Sequence, residues 1–277
     1  MLRRVLVLLG ESEPAVAARN YAFRMARDMD VELTGLAGID PASLHVPNLA
    51  RAGAAGIQVQ IEEELREQAE SFRQRLRETY QRECTARGVP FEWQSFEGDP
   101  DEALGLAVET RDIVITGHDT SFQARAEQPL PETLSRLLSA TPRPFIVCGP
   151  DVPEQGRVVV AYDGSVPAMR ALQMFSLIGL AEGQDIKVLS VDPEAEQAER
   201  SAEGAVSYLR SHGFSADAVA VASRTNPAEV VQAEVANLGA RTLVMGSYGR
   251  RGWRQVLFGS TTGKLVEKPP CALFVYH

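Results

Sequence analysis

The chain contains 277 residues, enough for two domains of ordinary size, and 44% of them are hydrophobic, which is enough for packed cores. Its formal net charge of −9 argues against a general nucleic-acid-binding protein, because such proteins meet phosphates with basic patches. No apolar stretch is long enough to span a bilayer, so we expect no membrane partner.

The first predicted element is a strand over the apolar run Val5–Leu9, close to the N-terminus. A helix is predicted to follow it, because Ser12 suits a helix N-cap and Pro14 suits the first helical turn. The apolar run is too short for the usual layout of a signal peptide, and no small-residue cleavage site follows it. We therefore interpret the run as the first strand of a sheet.

A segment without a counterpart in the second half of the chain lies between residues 42 and 90. Residues 42–56 contain Ala, Gly and Pro and are predicted to form a mobile loop. From Ile61 to Cys84 the pattern predicts a long amphipathic helix. Its apolar face consists of Ile61, Leu65, Phe72, Leu76 and Tyr80. Packing of this face on its own sheet is the favoured interpretation, and a dimer contact or a lid is the alternative.

The second half of the chain repeats the landmarks of the first in the same order. Arg157–Pro167 echoes Arg4–Pro14, since each has a basic residue, an apolar strand, a tight turn and then Ser-x-Pro. The other pairs are Leu36–Pro41 with Val188–Pro193, Asp99–Glu102 with Asn226–Glu229, Val114–Gly117 with Leu243–Gly246, and Pro142–Val147 with Pro270–Val275.

This repeat predicts two copies of one α/β domain, over residues 1–150 and 153–277. Each copy alternates apolar strands with amphipathic helices, which is typical of a parallel sheet covered on both faces. The extra helical segment 42–90 belongs to the first copy.

A glycine-rich loop follows the predicted strand Thr242–Met245. Gly246 and Gly249 stand three apart, and nine residues later come Gly259 and Ser260. Glycines let an anion approach the backbone, and a helix that opens at Ser260 offers free N–H groups and a positive dipole end. Basic side chains crowd the same stretch, at Arg250, Arg251, Arg254, Lys264 and Lys268. The loop therefore predicts a phosphate site.

With the repeat and this loop, the sequence resembles the universal stress protein family in its tandem two-domain form. The loop matches the family's ATP-binding pattern Gly-x2-Gly-x9-Gly-Ser/Thr without a departure. The resemblance implies a flavodoxin-like (Rossmann-like) five-stranded parallel sheet in each copy. It also implies that nucleotide binds at the carboxyl ends of the strands and that the copies pair through their last strands, Phe145–Cys148 and Leu273–Tyr276.

The resemblance assigns the ligand contacts position by position. Asp163, after the first strand of the second copy, matches the acidic residue near the adenosine. Val191 matches the position whose backbone meets the adenine. The remaining matches, which approach the ribose and the phosphates, are Gly246, Gly249, Gly259, Ser260 and Thr261. The expected ligand is ATP with Mg²⁺. Turn capping by Asp163 and a capped, turn-rich loop at the glycines are the alternative interpretations.

The first copy departs from this pattern at each of these points. Gly10 and Glu11 stand where Asp163 is expected, and no second glycine follows Gly117. Pro129–Thr133 lacks the Gly-Ser pair, and its prolines and acid would remove amide donors and repel phosphate. We predict that this copy does not bind ATP in the same way.

No metal or catalytic constellation is expected from the remaining residues. The cysteines share no metal spacing and cannot all pair, which favours a reduced, cytoplasmic setting. The histidines are scattered along the chain. These residues are Cys84, Cys148, Cys271, His45, His118, His212 and His277.

The leading hypothesis is a cytoplasmic ATP-binding stress or regulatory protein with one nucleotide site, in residues 153–277. A further homodimer and an unidentified protein partner are part of that hypothesis. A slow ATPase is one alternative, although it would need a positioned base or a metal-held water. A nucleotide-free interaction scaffold, with segment 42–90 as its binding surface, is the other.

Overall fold

The computed structural model describes residues 1–44, 55–120, 122, 138, 141–247 and 260–277. Among these residues, ten strands form one sheet, and their bounds are β1 Arg4–Leu8, β2 Glu32–Ile39, β3 Glu92–Glu97, β4 Ile113–Gly117, β5 Phe145–Cys148, β6 Arg157–Ala161, β7 Ile186–Asp192, β8 Ala216–Ala222, β9 Ala240–Gly246 and β10 Ala272–Tyr276. The described helices are α1 Glu13–Asp28, α2 Ala55–Arg87, α3 Pro100–Val108, α4 Val166–Leu177, α5 Ala195–Ser211, α6 Pro227–Asn237 and α7 Ser260–Glu267, with a 3₁₀ turn over Pro41–Leu44.

The strand order is β3-β2-β1-β4-β5-β10-β9-β6-β7-β8, so each half of the chain contributes five consecutive strands. Neighbouring strands are parallel within each half. The predicted fold class is confirmed, and the order 3-2-1-4-5 within each half is that of the first five strands of a Rossmann sheet.

The two halves join through their last strands, as the resemblance implied. β5 and β10 are antiparallel, with Leu273 opposite Val147 and Phe274 opposite Ile146. All nine residues of these two strands except Tyr276 are buried. Because the junction is antiparallel, the strands of the two halves run in opposite directions. The carboxyl ends of the strands in one half therefore lie beside the amino ends of the strands in the other half.

Each face of the sheet carries one core that runs through both halves. The first core holds buried residues of α1, the end of α2, α4 and α5. The second core holds those of α3, α6 and α7. The alternation of side chains along each strand divides the apolar residues between these two faces. Val158 and Val160, for example, face the first core and Val159 faces the second.

Equivalent caps begin the first helix of each half. The Oγ of Ser12 accepts the Ala15 N–H, and the Oγ of Ser165 accepts the Ala168 N–H, both at 3.3 Å. A proline follows each cap within the first turn, where its missing N–H costs no helical bond.

The long helix of the first half packs on its own sheet, which confirms the favoured interpretation of the Ile61–Cys84 pattern. Leu76, Tyr80 and Cys84 belong to the first core. The Arg19 guanidinium, which is 5% exposed, donates to the Glu83 carboxylate at 2.6 and 3.2 Å and so ties α1 to α2. Residues 45–54 of the predicted loop lie outside the described residues.

Contacts outside the strands also link the halves. The Leu2 N–H donates to the Ile178 carbonyl at 2.9 Å. The Tyr21 side chain on α1 reaches Thr242 on β9, and burial raises the pKa of the Tyr21 hydroxyl, which therefore stays protonated. The division into domains 1–150 and 153–277 stays a prediction, since the sheet itself is continuous.

The cysteine thiols are all buried in the folded chain. Burial raises the pKa of Cys148 and of Cys271 to about 12 in each case, so both stay protonated. No helix among the described residues is long and apolar enough to cross a membrane.

We predict that Phe274→Ala destabilises both halves together. Phe274 is fully buried and its ring meets the Phe175 ring edge-on at 5.2 Å. Loss of a buried Phe side chain lowers the free energy of unfolding by about 3–5 kcal/mol. Trp93 fluorescence in a Trp253→Phe background reports the unfolding of the N-terminal half. We expect its transition in Phe274→Ala to move to a lower urea concentration as well. Leu106→Ala, at a position 64% exposed, is the control. An unchanged Trp93 transition in Phe274→Ala would contradict a cooperative ten-stranded sheet.

Candidate functional site

In the C-terminal half the chain turns to opposite faces of the sheet after β6 and after β9, a topology that forms a crevice at the carboxyl ends of the strands. β6 and β9 are neighbours, yet α4, which follows β6, packs on the first core and α7, which follows β9, packs on the second. In open α/β sheets such a switch point at the carboxyl ends of the strands is where ligands bind.

Asp163 lies in the turn between β6 and α4. Its Oδ1 accepts the Ser165 N–H at 2.9 Å, and Gly164 takes a φ of +71° that favours glycine. The turn-capping role weighed for Asp163 is therefore present. The Asp163 side chain is also exposed, and no described residue donates to its Oδ2. One carboxylate oxygen holds the turn while the other is available to a ligand.

Tyr162 precedes Asp163 and lies at the same edge. Burial, and secondly the Asp163 carboxylate, raise the pKa of Tyr162. The Tyr162 hydroxyl therefore stays protonated throughout the physiological range and can act as a donor.

Val191 brings backbone groups to the crevice from β7. The last bond between β6 and β7 runs from the Tyr162 N–H to the Leu189 carbonyl, at 2.9 Å. Val191 is two residues further along β7, so its N–H and C=O point to the same side as those of Leu189. That side lies past the end of β6, next to Asp163. The Val191 side chain is half-buried and packs on the second core.

Gly246 ends β9 and has a packing role that the sequence reasoning missed. A Cβ atom there would lie 2.5 Å from the Pro167 carbonyl carbon and 2.6 Å from the Ala168 nitrogen. Gly117 stands in the same relation to α1, where a Cβ would lie 2.7 Å from the Ala15 nitrogen. In both halves this glycine lets the first helix approach the sheet. Its presence in the N-terminal half is therefore explained without a ligand.

Two hydroxyl residues that the sequence reasoning did not single out lie beside Gly246. Thr262, on α7, is 4% exposed and donates to the Gly246 carbonyl at 3.2 Å. Ser247 is 3% exposed, and its Oγ has no hydrogen-bond partner among the described residues. A buried hydroxyl without a partner is costly, so this Oγ is suited to a ligand in the crevice. The available signal was a hydroxyl directly after a buried strand.

The start of α7 brings Ser260 and Thr261 to the crevice, because the Thr262 bond fixes this helix against the end of β9. Thr261 is half-buried there. Lys264 points to α6, where its Nζ lies 3.8 Å from Glu229. Gly249 and Gly259, like the three arginines of the loop, lie outside the described residues.

The equivalent turn of the N-terminal half is built differently. Gly10 replaces the aspartate, and its carbonyl accepts from Arg19 at 3.2 Å. The next residue, Glu11, pairs with Arg75 of α2 at 3.4 Å. The carboxylate at this edge is therefore engaged by α2, which is not an additional helix but the longer counterpart of α5, because each lies between the second and third strands of its half.

Aromatic rings occupy the neighbouring strand ends of the N-terminal half. Leu36 pairs with Leu8 in the N-terminal half, and Leu189 pairs with Ala161 at the equivalent position of the C-terminal half. Gly38 and Val191 each lie two residues further along their strands, so Gly38 is the counterpart of Val191. A Cβ at Gly38 would lie 2.1 Å from the Phe96 ring, so that ring rests on the backbone. Phe122 meets Phe96 edge-on at 5.0 Å and is buried.

His118 and Asp119 follow Gly117 at this edge. The His118 N–H donates to Cys148 at 2.9 Å, as the Ser247 N–H donates to Tyr276 at 2.8 Å. The Nδ1 of His118 and the Oδ1 of Asp119 are buried without a hydrogen-bond partner among the described residues. Across the described ranges, no group of three or more His, Cys, Asp or Glu residues could hold a metal ion.

The sequence model that describes the Universal stress protein family matches residues 1–147 and 155–277 of this chain. A universal stress protein from Archaeoglobus fulgidus DSM 4304 is similar in structure, with a TM-score of 0.71, 20% identity, and coverage of 99% of this chain and 97% of that one. A putative universal stress protein from Pseudomonas aeruginosa UCBPP-PA14 superposes with a TM-score of 0.54, 16% identity, and coverage of 99% and 93%. At these identities the likeness shows the fold. No curated protein matches the chain.

We predict that Gly246→Ala destabilises the protein, because its Cβ would overlap backbone atoms of α4. Overlap of this kind costs about 1–3 kcal/mol of unfolding free energy, measured by urea denaturation. Gly204→Ala is the matched control. It lies in α5 with nothing within 4 Å of the added Cβ, and the change stabilises by about 0.5–1 kcal/mol. Equal stability of Gly246→Ala and the parent would mean that Gly246 serves only a ligand.

Proposed function

Because the chain belongs to the universal stress protein family, we propose that it is an ATP-binding regulatory protein with one nucleotide site, in residues 153–277. The observation that carries the proposal is the convergence of three groups at the β6/β9 crevice. They are the backbone of Val191, the Oδ2 of Asp163 and the buried Oγ of Ser247, and neither of these two oxygens has a hydrogen-bond partner among the described residues.

The adenosine end of the ligand lies at the end of β6. A carboxylate oxygen accepts hydrogen bonds from hydroxyl groups, and a ribose offers two of them. The Asp163 Oδ2 is suited to that role because Oδ1 is already used by the turn. The N–H and C=O of Val191 offer a donor and an acceptor for the edge of a purine.

The phosphate end lies at the end of β9 and the start of α7. Ser260 and Thr261 begin that helix, where free N–H groups and the positive end of the dipole favour anions. The Ser247 hydroxyl would donate to the same ligand. Gly249 and Gly259 belong to this part of the proposal by their match to the family's pattern. Mg²⁺ would accompany the phosphates, as it commonly binds through them.

The N-terminal half is proposed not to bind ATP in this way. Glu11 is paired with Arg75, whereas Asp163 has no ion-pair partner among the described residues, so a nucleotide in the N-terminal half would have to displace Arg75. The Phe96 ring lies over Gly38 in the place that the Val191 side chain takes in the C-terminal half. This half is instead the partner face on which the ATP-binding half is built, through β5 and β10.

ATP would act as a ligand that changes stability and assembly. The Ser247 N–H donates to Tyr276 of β10, so a ligand on Ser247 lies one strand from the junction between the halves. A difference between ATP and ADP requires contacts to the γ-phosphate, which the start of α7 can supply. A cytoplasmic location, a homodimer and an unidentified protein partner stay predictions.

We expect ATP to copurify with the protein or to bind on addition with Mg²⁺. The measurement is a mass spectrum of small molecules released from the purified, denatured protein, followed by calorimetric titration. A protein that stays empty after ATP and Mg²⁺ are added contradicts the proposal and favours a nucleotide-free scaffold. Steady ADP production, lost in Ser260→Ala, would instead favour an ATPase.

Asp163→Asn separates the turn from the ligand contact. The amide oxygen of Asn still accepts the Ser165 N–H, so stability should stay within about 0.5 kcal/mol of the parent. Loss of the charged acceptor should weaken ATP binding by at least about tenfold. Asp185→Asn, at the opposite edge of the sheet, makes the same change of charge and should leave ATP affinity unchanged. Equal affinities for all three proteins would remove Asp163 from the site.

A further inference from the structure

The sheet has two free edges, and β8 forms the one in the C-terminal half. The Ser215 carbonyl accepts from Ile186, and the Ser223 N–H donates to Asp192, so the odd-numbered residues of this strand face β7. The backbone groups of a strand alternate in direction, and those of Ala218, Ala220 and Ala222 therefore point away from the sheet. Arg210 covers the first carbonyl of this edge, since its Nε donates to Ala216 at 3.0 Å.

β3, the edge strand of the N-terminal half, is protected at the equivalent positions. In the N-terminal half Val7, Gly35 and Trp93 lie side by side on β1, β2 and β3. In the C-terminal half Val160, Val188 and Ala218 lie side by side at the equivalent positions of β6, β7 and β8, so Ala218 is the counterpart of Trp93. On the face next to the edge helix, β3 therefore has Trp93, Ser95 and Glu97 where β8 has three alanines. Trp93 stacks on Phe91 at 6.5 Å between ring centroids.

Charges complete the protection of β3. Glu97 pairs with Arg66 of α2 at 2.7 Å, and Glu92 lies 3.5 Å from Arg111. Large and charged side chains on an edge discourage pairing with another chain. On β8 the only such devices among the described residues are Arg210 over the Ala216 carbonyl and Asp217, whose carboxylate is held by Lys187 and Arg210.

The alanines of β8 leave a groove between that strand and α5. Its volume is about 340 Å³, and it is lined by Ala195, Glu199, Glu203, Ala218, Ala220 and Ala222. The two glutamates lie one helical turn apart and are exposed. Neither carboxylate has an ion-pair partner in the part of the chain that the structure describes, although Glu196 on the same helix pairs with Arg200.

We propose that the β8 edge binds an extended, basic segment of a partner protein, which adds to the sheet as a further strand. The backbone groups of Ala218, Ala220 and Ala222 would form the hydrogen bonds of the new ladder. Alternate side chains of that segment would lie over the alanines, where Glu199 and Glu203 select Lys or Arg.

A second copy of this chain fits the edge less well than a basic segment. Antiparallel pairing of two β8 strands would bring both α5 helices to one side of the new ladder. The glutamates of both copies would then face one another across the junction, and like charges at an interface oppose association. The acidic groove thus selects against self-pairing and for a basic partner.

The test uses the full-length chain and a fluorescein-labelled hexapeptide that alternates Lys and Val. Fluorescence anisotropy should show saturable binding that weakens as salt is raised, and the hexapeptide that alternates Glu and Val should not bind. Glu199→Gln with Glu203→Gln should weaken binding by about tenfold, because two ion pairs are lost. Glu196→Gln, on the same helix but outside the groove, is the control and should bind as the parent does.

Ala220→Pro tests the backbone ladder separately from charge. It removes an N–H that points away from β7, a position at which an edge strand tolerates proline, so the fold should persist. Binding of the basic peptide should be lost. Ala218→Trp, which copies Trp93 of the other edge, should also block the groove, and it decides the matter if Ala220→Pro fails to fold.

Three results would each overturn the proposal. The first is equal binding of the basic and acidic peptides. The second is undiminished binding of the basic peptide to folded Ala220→Pro or Ala218→Trp protein. The third is a dimer in sedimentation velocity that becomes a monomer in a folded variant of these two, which would make a second copy the occupant of β8.

Discussion

The antiparallel pairing of β5 with β10 is the constraint on which the rest of the structure depends. Both strands are buried on both faces, so neither could end its own sheet without exposing an apolar edge. Their pairing removes two edges and joins the two parallel sheets into one. It also sets the carboxyl ends of the halves at opposite edges, so the two halves cannot share one ligand.

The repeated landmarks fall into two groups once their contacts are known. One group has the same role in both halves, which is to begin the first helix and to let it pack closely on the sheet. It consists of the capping serines, the prolines after them, and Gly117 and Gly246. The residues that differ lie at the strand ends. Glu11 is paired with Arg75, whereas Asp163 has no ion-pair partner among the described residues, and the Phe96 ring lies over Gly38 in the place of the Val191 side chain. The packing is common to both halves, whereas the chemistry differs.

The same asymmetry extends to the outer edges of the sheet. In the N-terminal half, α2 has 33 residues and contributes Arg66 and Arg75, which engage Glu97 of the edge strand and Glu11 of the strand-end turn. In the C-terminal half, α5 has 17 residues and leaves the outer face of β8 open beside two glutamates. Among the described residues, the carboxylates at both places are paired in the N-terminal half, whereas Asp163, Glu199 and Glu203 of the C-terminal half have no ion-pair partner, which is why each proposal concerns the C-terminal half.

The sequence by itself determined the two-fold repeat, the parallel α/β sheets and the helix over Ile61–Cys84, because these depend on periodicity and capping within a few residues. The family resemblance added the pairing of the last strands. Only the tertiary structure decided that Gly246 packs against Pro167, that the Ser247 Oγ is buried without a partner among the described residues, and that the Phe96 ring covers Gly38. Those facts, like the open groove beside Ala218, depend on which strands lie side by side. Residues far apart in the chain meet there, and no local pattern encodes the distance between them.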